Sequence, residues 1–116
     1  MIQTRTVTLE IPVPEPATLE RALWGLVAVG LAADVLTTQV GLEAGLVESN
    51  PTARAALAHG TLGFLAMKAG AVGVGLLCRP FLKREHRGIV PVCLALPWLA
   101  AAAVNCYMLA QVGVLA

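Results

Sequence analysis

Three long apolar runs alternate with short polar segments along the chain. Ala22–Leu42 holds a single charge, Asp34. Ala55–Cys78 contains His59 and Lys68. Ile89–Ala116 is the longest of the three and carries no charge. A hydrocarbon core of roughly 30 Å takes about 20 helical residues to cross, so each run is long enough. The runs are rich in Ala, Leu and Gly and lack the period-2 alternation of strands. Helices also satisfy their backbone groups internally, as lipid requires. The expected fold is all-α: an integral membrane protein with three transmembrane helices, at about residues 22–42, 61–79 and 89–113.

The connections carry their own signals. Gly45 can supply a left-handed helix stop. Asn50-Pro51 reads as a helix start, with Asn as cap and Pro at the first helical position. His59-Gly60 then predicts a pause, giving a short interfacial helix before the second span; one continuous helix from Pro51 to Cys78 is the alternative. Pro91 falls in the first turn of the third run, whereas Pro97 lies inside it and predicts a kink or a loosened Cys93 region. Residues 1–16 form a separate extended arm ahead of a 17–116 transmembrane domain. In that arm Val7, Leu9 and Ile11 share one face, and Pro12, Pro14 and Pro16 stiffen the stretch leading to the first run. It reads as a flexible tail, or as a strand that adds to a partner's sheet edge.

Composition agrees with the pattern. Hydrophobic residues make up 58% and charged residues 13%, and the mean hydropathy is +0.78. Those values exclude an ordinary soluble enzyme, a disordered chain and a basic nucleic-acid binder. The net charge of +1 matters less than its distribution. Arg5 and Arg21 precede the first run, and Arg79, Lys83, Arg84 and Arg87 sit between the second and third. The positive-inside rule then places the N-terminus and the Arg79–Arg87 loop in the cytoplasm, with the C-terminus external. The basic loop would touch anionic lipid. Trp24 is expected at the inner interface, and Trp98, deeper in its run, against another helix. Glu10, Glu15 and Glu20 argue for an uncleaved signal anchor over a signal peptide.

Charge inside the runs carries the chemistry. An ionisable group at membrane depth costs about 2.5–3.5 kcal/mol on insertion scales unless it is paired or hydrated. Asp34, Lys68 and Asn105 fall at similar depth in successive antiparallel runs. Thr37 and Thr38 lie one turn from Asp34, on its face. Arg54, Thr61, Lys68 and Gly75 recur at a regular heptad spacing. This set reads either as a buried pair that fixes helix register, with Thr and Asn as hydrogen-bonding glue, or as a pocket for a headgroup, ion, proton or substrate. The first reading is favoured. Gly30, Gly41, Gly45, Gly63 and Gly70 are candidates for close helix packing. Glu48, Asn50, Pro51 and Arg54 form a loop motif that caps a helix and pairs charges.

Other chemistry is poorly supplied. His59 and His86 belong to opposite sides, and no Cys-x-x-Cys or His-x-x-x-His is present. Ser49 is the only serine and has no nucleophile-elbow context. Cys78, Cys93 and Cys106 give no paired spacing and read as small buried hydrophobes. No catalytic residue, metal site or cofactor is therefore expected.

The string Asp34-x-x-Thr37-Thr38-x-x-Gly41-Leu42-x-x-Gly45-x-x-Glu48-x-Asn50-Pro51, with Lys68 in the next run, resembles the DUF5658 family of small archaeal and bacterial membrane proteins. The resemblance covers about residues 22–110. It implies that Asp34, Thr38, Glu48, Asn50 and Lys68 form a shared constellation, and it brings no activity. The expected role is that of an accessory or assembly subunit of a membrane complex, or a homo-oligomer. Its partners would be the bilayer and other membrane chains, not nucleic acid. A membrane enzyme or an ion or proton pathway through Asp34, Lys68, Glu48 and Asn105 is the alternative.

Overall fold

A computed structural model describes residues 15–114. Helix α1 spans Pro16–Glu43, α2 Pro51–Leu57, α3 Gly60–Cys78 and α4 Ile89–Gln111. Short 3₁₀ turns at Arg79–Phe81 and Arg84–His86 join α3 to α4. No strand occurs among the described residues. Three helical stretches, Pro16–Glu43, Gly60–Phe81 and Arg84–Gln111, are long and apolar enough to cross a membrane, which suggests an integral membrane protein. The arm's Thr6–Ile11 pattern lies outside the described residues, and α1 already begins at Pro16.

Local chemistry explains the helix ends. Gly45 has φ +88°. Its N–H reaches the Leu42 carbonyl at 3.1 Å, and the Leu46 N–H reaches the Gly41 carbonyl at 2.9 Å. That paired closure is a Schellman motif, and its left-handed residue explains why glycine stands there. Asn50 starts α2: its side chain accepts from the Thr52 N–H at 3.0 Å, and Pro51 occupies the first helical position. The chain breaks at Gly60, φ +85°, so α2 and α3 are separate helices. This break removes Arg54 from the face that carries Lys68. Pro97 lies inside α4, which runs through it without interruption.

Helices α1 and α4 run parallel and form the most closely packed pair. A Cβ at Gly30 would sit 3.2 Å from the Leu99 side chain, so the missing side chain lets α4 approach. Val27, Ala95 and Trp98 form the buried core, with Trp24, Leu31, Ala71, Val72, Leu94 and Leu99 packed around it. These residues come from the Trp24–Leu31 stretch of α1, the second half of α3 and the first half of α4. The core therefore occupies the end that carries the Arg79–Arg87 turns, the basic end. The opposite, loop end carries Gly45–Asn50.

Helix α3 runs antiparallel to both neighbours and is the least enclosed. Only Phe64 and Lys68 are buried along its length. It meets α4 at the basic end, where a Cβ on Gly75 would come within 2.9 Å of Val90 and 3.1 Å of Leu94. Towards the loop end the two helices separate.

The cysteine reading is corrected. Cys78, Cys93 and Cys106 are all exposed on the chain. Each sits on a helix face directed away from the bundle, so apolar character marks lipid-facing surface here and not interior.

Candidate functional site

Asp34 of α1 and Lys68 of α3 form a salt bridge between two helices that otherwise hardly meet. Asp34 is 3% exposed and Lys68 6%. The Lys68 ammonium donates to Asp34 Oδ2. Thr38 Oγ1 donates to the other carboxylate oxygen at 3.3 Å. Asn105 of α4 closes the cluster. Its Nδ2 lies 3.0 Å from Thr37 Oγ1, 3.1 Å from Thr38 Oγ1 and 3.5 Å from Asp34 Oδ1. Thr37 sends its own proton to the Ala33 carbonyl at 2.7 Å, leaving its oxygen free to accept. One amide, two hydroxyls, a carboxylate and an ammonium thus form a continuous network across three helices.

Two aromatic rings complete the surroundings of Lys68. Its Nζ stands 5.0 Å from the centroid of Phe64 and 5.1 Å from that of Trp98. Phe64 lies one turn before Lys68 on α3, the i, i+4 relation that brings helical side chains together. The electron-rich ring faces stabilise the cation where water is scarce. Trp98 packs against other helices, as its depth implied.

A second tie joins α1 to the 3₁₀ turn that follows α3, at the basic end. Arg79 Nε and Nη2 donate to the two oxygens of Glu20, at 2.6 and 3.0 Å. Trp24 Nε1 donates to the same carboxylate at 3.1 Å. This fork geometry suits a guanidinium–carboxylate pair. The sequence held a signal for it. Glu20 precedes Asp34 by about four helical turns, and Arg79 follows Lys68 by about three. Both spacings return to the same helix face, at separations of about 21 and 16 Å.

Above the Asp34–Lys68 pair the helices leave a cavity of about 380 Å³. Asp34, Lys68 and Asn105 line its deep end, and Glu48, Ser49 and Asn50 its mouth. Phe64, Met67, Pro97 and Trp98 supply apolar walls. A second space of about 280 Å³ lies between α1, the loop and α4, and shares Glu48, Ser49 and Asn105. The basic-end half of the molecule is filled by the Val27–Ala95–Trp98 core, whereas the loop-end half buries Phe64 and Leu109 but also holds both cavities.

The remaining sequence candidates divide. Glu48 Oε1 accepts from the Asn50 N–H at 3.0 Å, and Arg54 Nε donates to the Glu48 backbone carbonyl at 2.9 Å. Arg54 therefore ties the loop backbone and is not an ion-pair partner of the Glu48 carboxylate. Arg87 Nε reaches the Leu82 carbonyl at 3.3 Å, while Lys83 and Arg84 occupy the exposed turns. Gly63 makes room for the Ala56 carbonyl of α2, 2.6 Å from where its Cβ would stand, and Gly41 receives Leu46. Gly70 faces open space. Of the five glycines Gly30, Gly41, Gly45, Gly63 and Gly70, Gly30 is the one that meets α4, and Gly75, outside that set, makes the close α3 contact.

The profile of one family, a domain of unknown function (DUF5658), matches residues 24–114. The chain belongs to that family, and the match spans most of α1, all of α3 and α4, and the whole polar network. No curated protein and no solved structure matches the chain.

Proposed function

We propose that this chain is a small integral membrane protein that works as an accessory or assembly subunit, with other membrane chains or with copies of itself. In this reading the basic end faces the cytoplasm, and the Asp34–Lys68 network fixes helix register. One observation carries it. Helix α3 and the 3₁₀ turn that follows it are tied to α1 by one ion pair each, while most of the α3 surface has no partner among the described residues. Gly70 has nothing within 4 Å of where its Cβ would lie. Among apolar helices in lipid, small residues are where a neighbouring backbone approaches.

The test is native electrophoresis or native mass spectrometry after mild detergent extraction. The wild-type chain should run as a complex, and Gly70→Leu should shift it toward monomer with helix content unchanged. A strictly monomeric wild type at native expression levels overturns the proposal.

The cavity favours a second reading, a pathway or reaction site at Asp34 and Lys68. The packed core on the basic-end side of the pair argues against a continuous route. Replacing both charges by a matched apolar pair separates the two: an assembly subunit stays bound to its neighbours, and a pathway loses transport although assembly persists.

A further inference from the structure

We infer that the crevice between α3 and α4 is a binding site for an organic ammonium group, entered from the loop end. The shape comes first. The two helices meet where Gly75 abuts Val90 and Leu94, and they diverge toward Glu48 and Asn50. The Trp98 core closes the narrow end. What remains is a half-open wedge of about 380 Å³, within the range of small-molecule sites, roughly 300–1,000 Å³.

Charge selects the sign of the ligand. Asp34 and Lys68 neutralise each other at the floor. Glu48 at the mouth has no ion-pair partner among the described residues. The lining therefore carries one carboxylate outside any salt bridge; the Arg54 guanidinium, held 2.9 Å from the Glu48 backbone carbonyl, offsets part of its charge, and low-dielectric walls strengthen the pull that remains. An anion would meet Glu48 and find the Lys68 ammonium already engaged. A metal ion finds too few ligands: no group of three or more His, Cys, Asp or Glu residues assembles among the described residues. An ammonium group needs less. The Glu48 carboxylate and the Ser49 hydroxyl can accept from it, and its alkyl portion rests on Met67, Pro97 and Val104. Asp34 and Lys68 stay paired beneath it. The ammonium belongs to a free amine or to an aminophospholipid headgroup; both present the same chemistry.

The full chain in nanodiscs tests this. A Trp24→Phe background leaves Trp98, at the base of the wedge, as the sole tryptophan. In phosphatidylglycerol discs, butylammonium should give a saturable shift of Trp98 emission and butyrate none. In discs containing phosphatidylethanolamine, an emission shift that Glu48→Gln abolishes assigns the site to the headgroup. Glu48→Gln should weaken butylammonium binding by about tenfold, the weight of one partly hydrated charge, with unchanged circular dichroism. Three results overturn the inference: no shift from either source, an equal response to butyrate, or binding that Glu48→Gln leaves intact. None of them bears on the assembly role, which is read from complex size.

Discussion

The carboxylate of Asp34 and the ammonium of Lys68 are partners across two helices that share almost no other surface. The pair sits below the hollow part of the molecule and above its packed core. Each group is nearly inaccessible, so neither has water to fall back on.

That dependence predicts an asymmetry between single and double replacements. Lys68→Met alone leaves the Asp34 carboxylate buried without its counter-charge. It should cost about 3–5 kcal/mol of stability. Asp34→Leu combined with Lys68→Met should recover most of that loss, because matched apolar groups remove both desolvation costs. Thermal unfolding of detergent-solubilised protein, followed by helical circular dichroism, reads both. A double variant as unstable as the single would show that the pair is more than a mutual neutralisation.

Glu20 and Arg79 should behave differently. The Arg79 side chain is 41% exposed, against 9% for Glu20, so solvent and salt screen the pair. Glu20→Gln should destabilise less than Lys68→Met, and added salt should narrow its difference from wild type. Comparing midpoints at low and high ionic strength checks this; a salt-independent difference would rule out the screened-pair account.

Gly75 and Gly70 make a contrasting pair on α3. A side chain at Gly75 collides with Val90 and Leu94, whereas Gly70 faces open space. Gly75→Leu should therefore cost about 1–3 kcal/mol by overpacking. Gly70→Leu should leave the stability of an isolated chain nearly unchanged. Side-by-side unfolding in the same detergent distinguishes them.

Asn50→Ala removes the acceptor for the Thr52 N–H. The loss should be about 1 kcal/mol and confined to α2. Hydrogen exchange is the direct measurement: faster exchange at Thr52 and Ala53, with the Asp34–Lys68 region unchanged.

Much of this was legible in the residue order. Apolar runs with scarce charge mark helices, and Asn50-Pro51 and Gly45 mark their ends through fixed backbone requirements. Asp34, Lys68 and Asn105 stood out because an unpaired polar group in an apolar run is costly. The α3–α4 contact was less legible. Gly75 is one of several glycines in α3, and periodicity alone does not say which meets a neighbour. The cysteines misled for a related reason: in an apolar helix, side chains facing lipid and side chains facing protein have the same polarity. The cavity depends on how far two helices splay, a tertiary quantity with no local signature.

The uneven filling of the bundle has an electrical consequence in a bilayer. A membrane potential drops mainly across poorly polarisable material, and the dry Val27–Ala95–Trp98 core is that material here. Water in the crevice would carry the loop-side potential down to its floor, just short of the buried Asp34–Lys68 pair. Much of the field would then fall between Lys68 and the basic end. A charge moved from the mouth to Asp34 would sense little of the voltage, and one forced past Trp98 would sense most of it, about 2.3 kcal/mol per elementary charge for each 100 mV. Geometrically the pair lies at mid-helix; electrically it would belong to the loop-side surface.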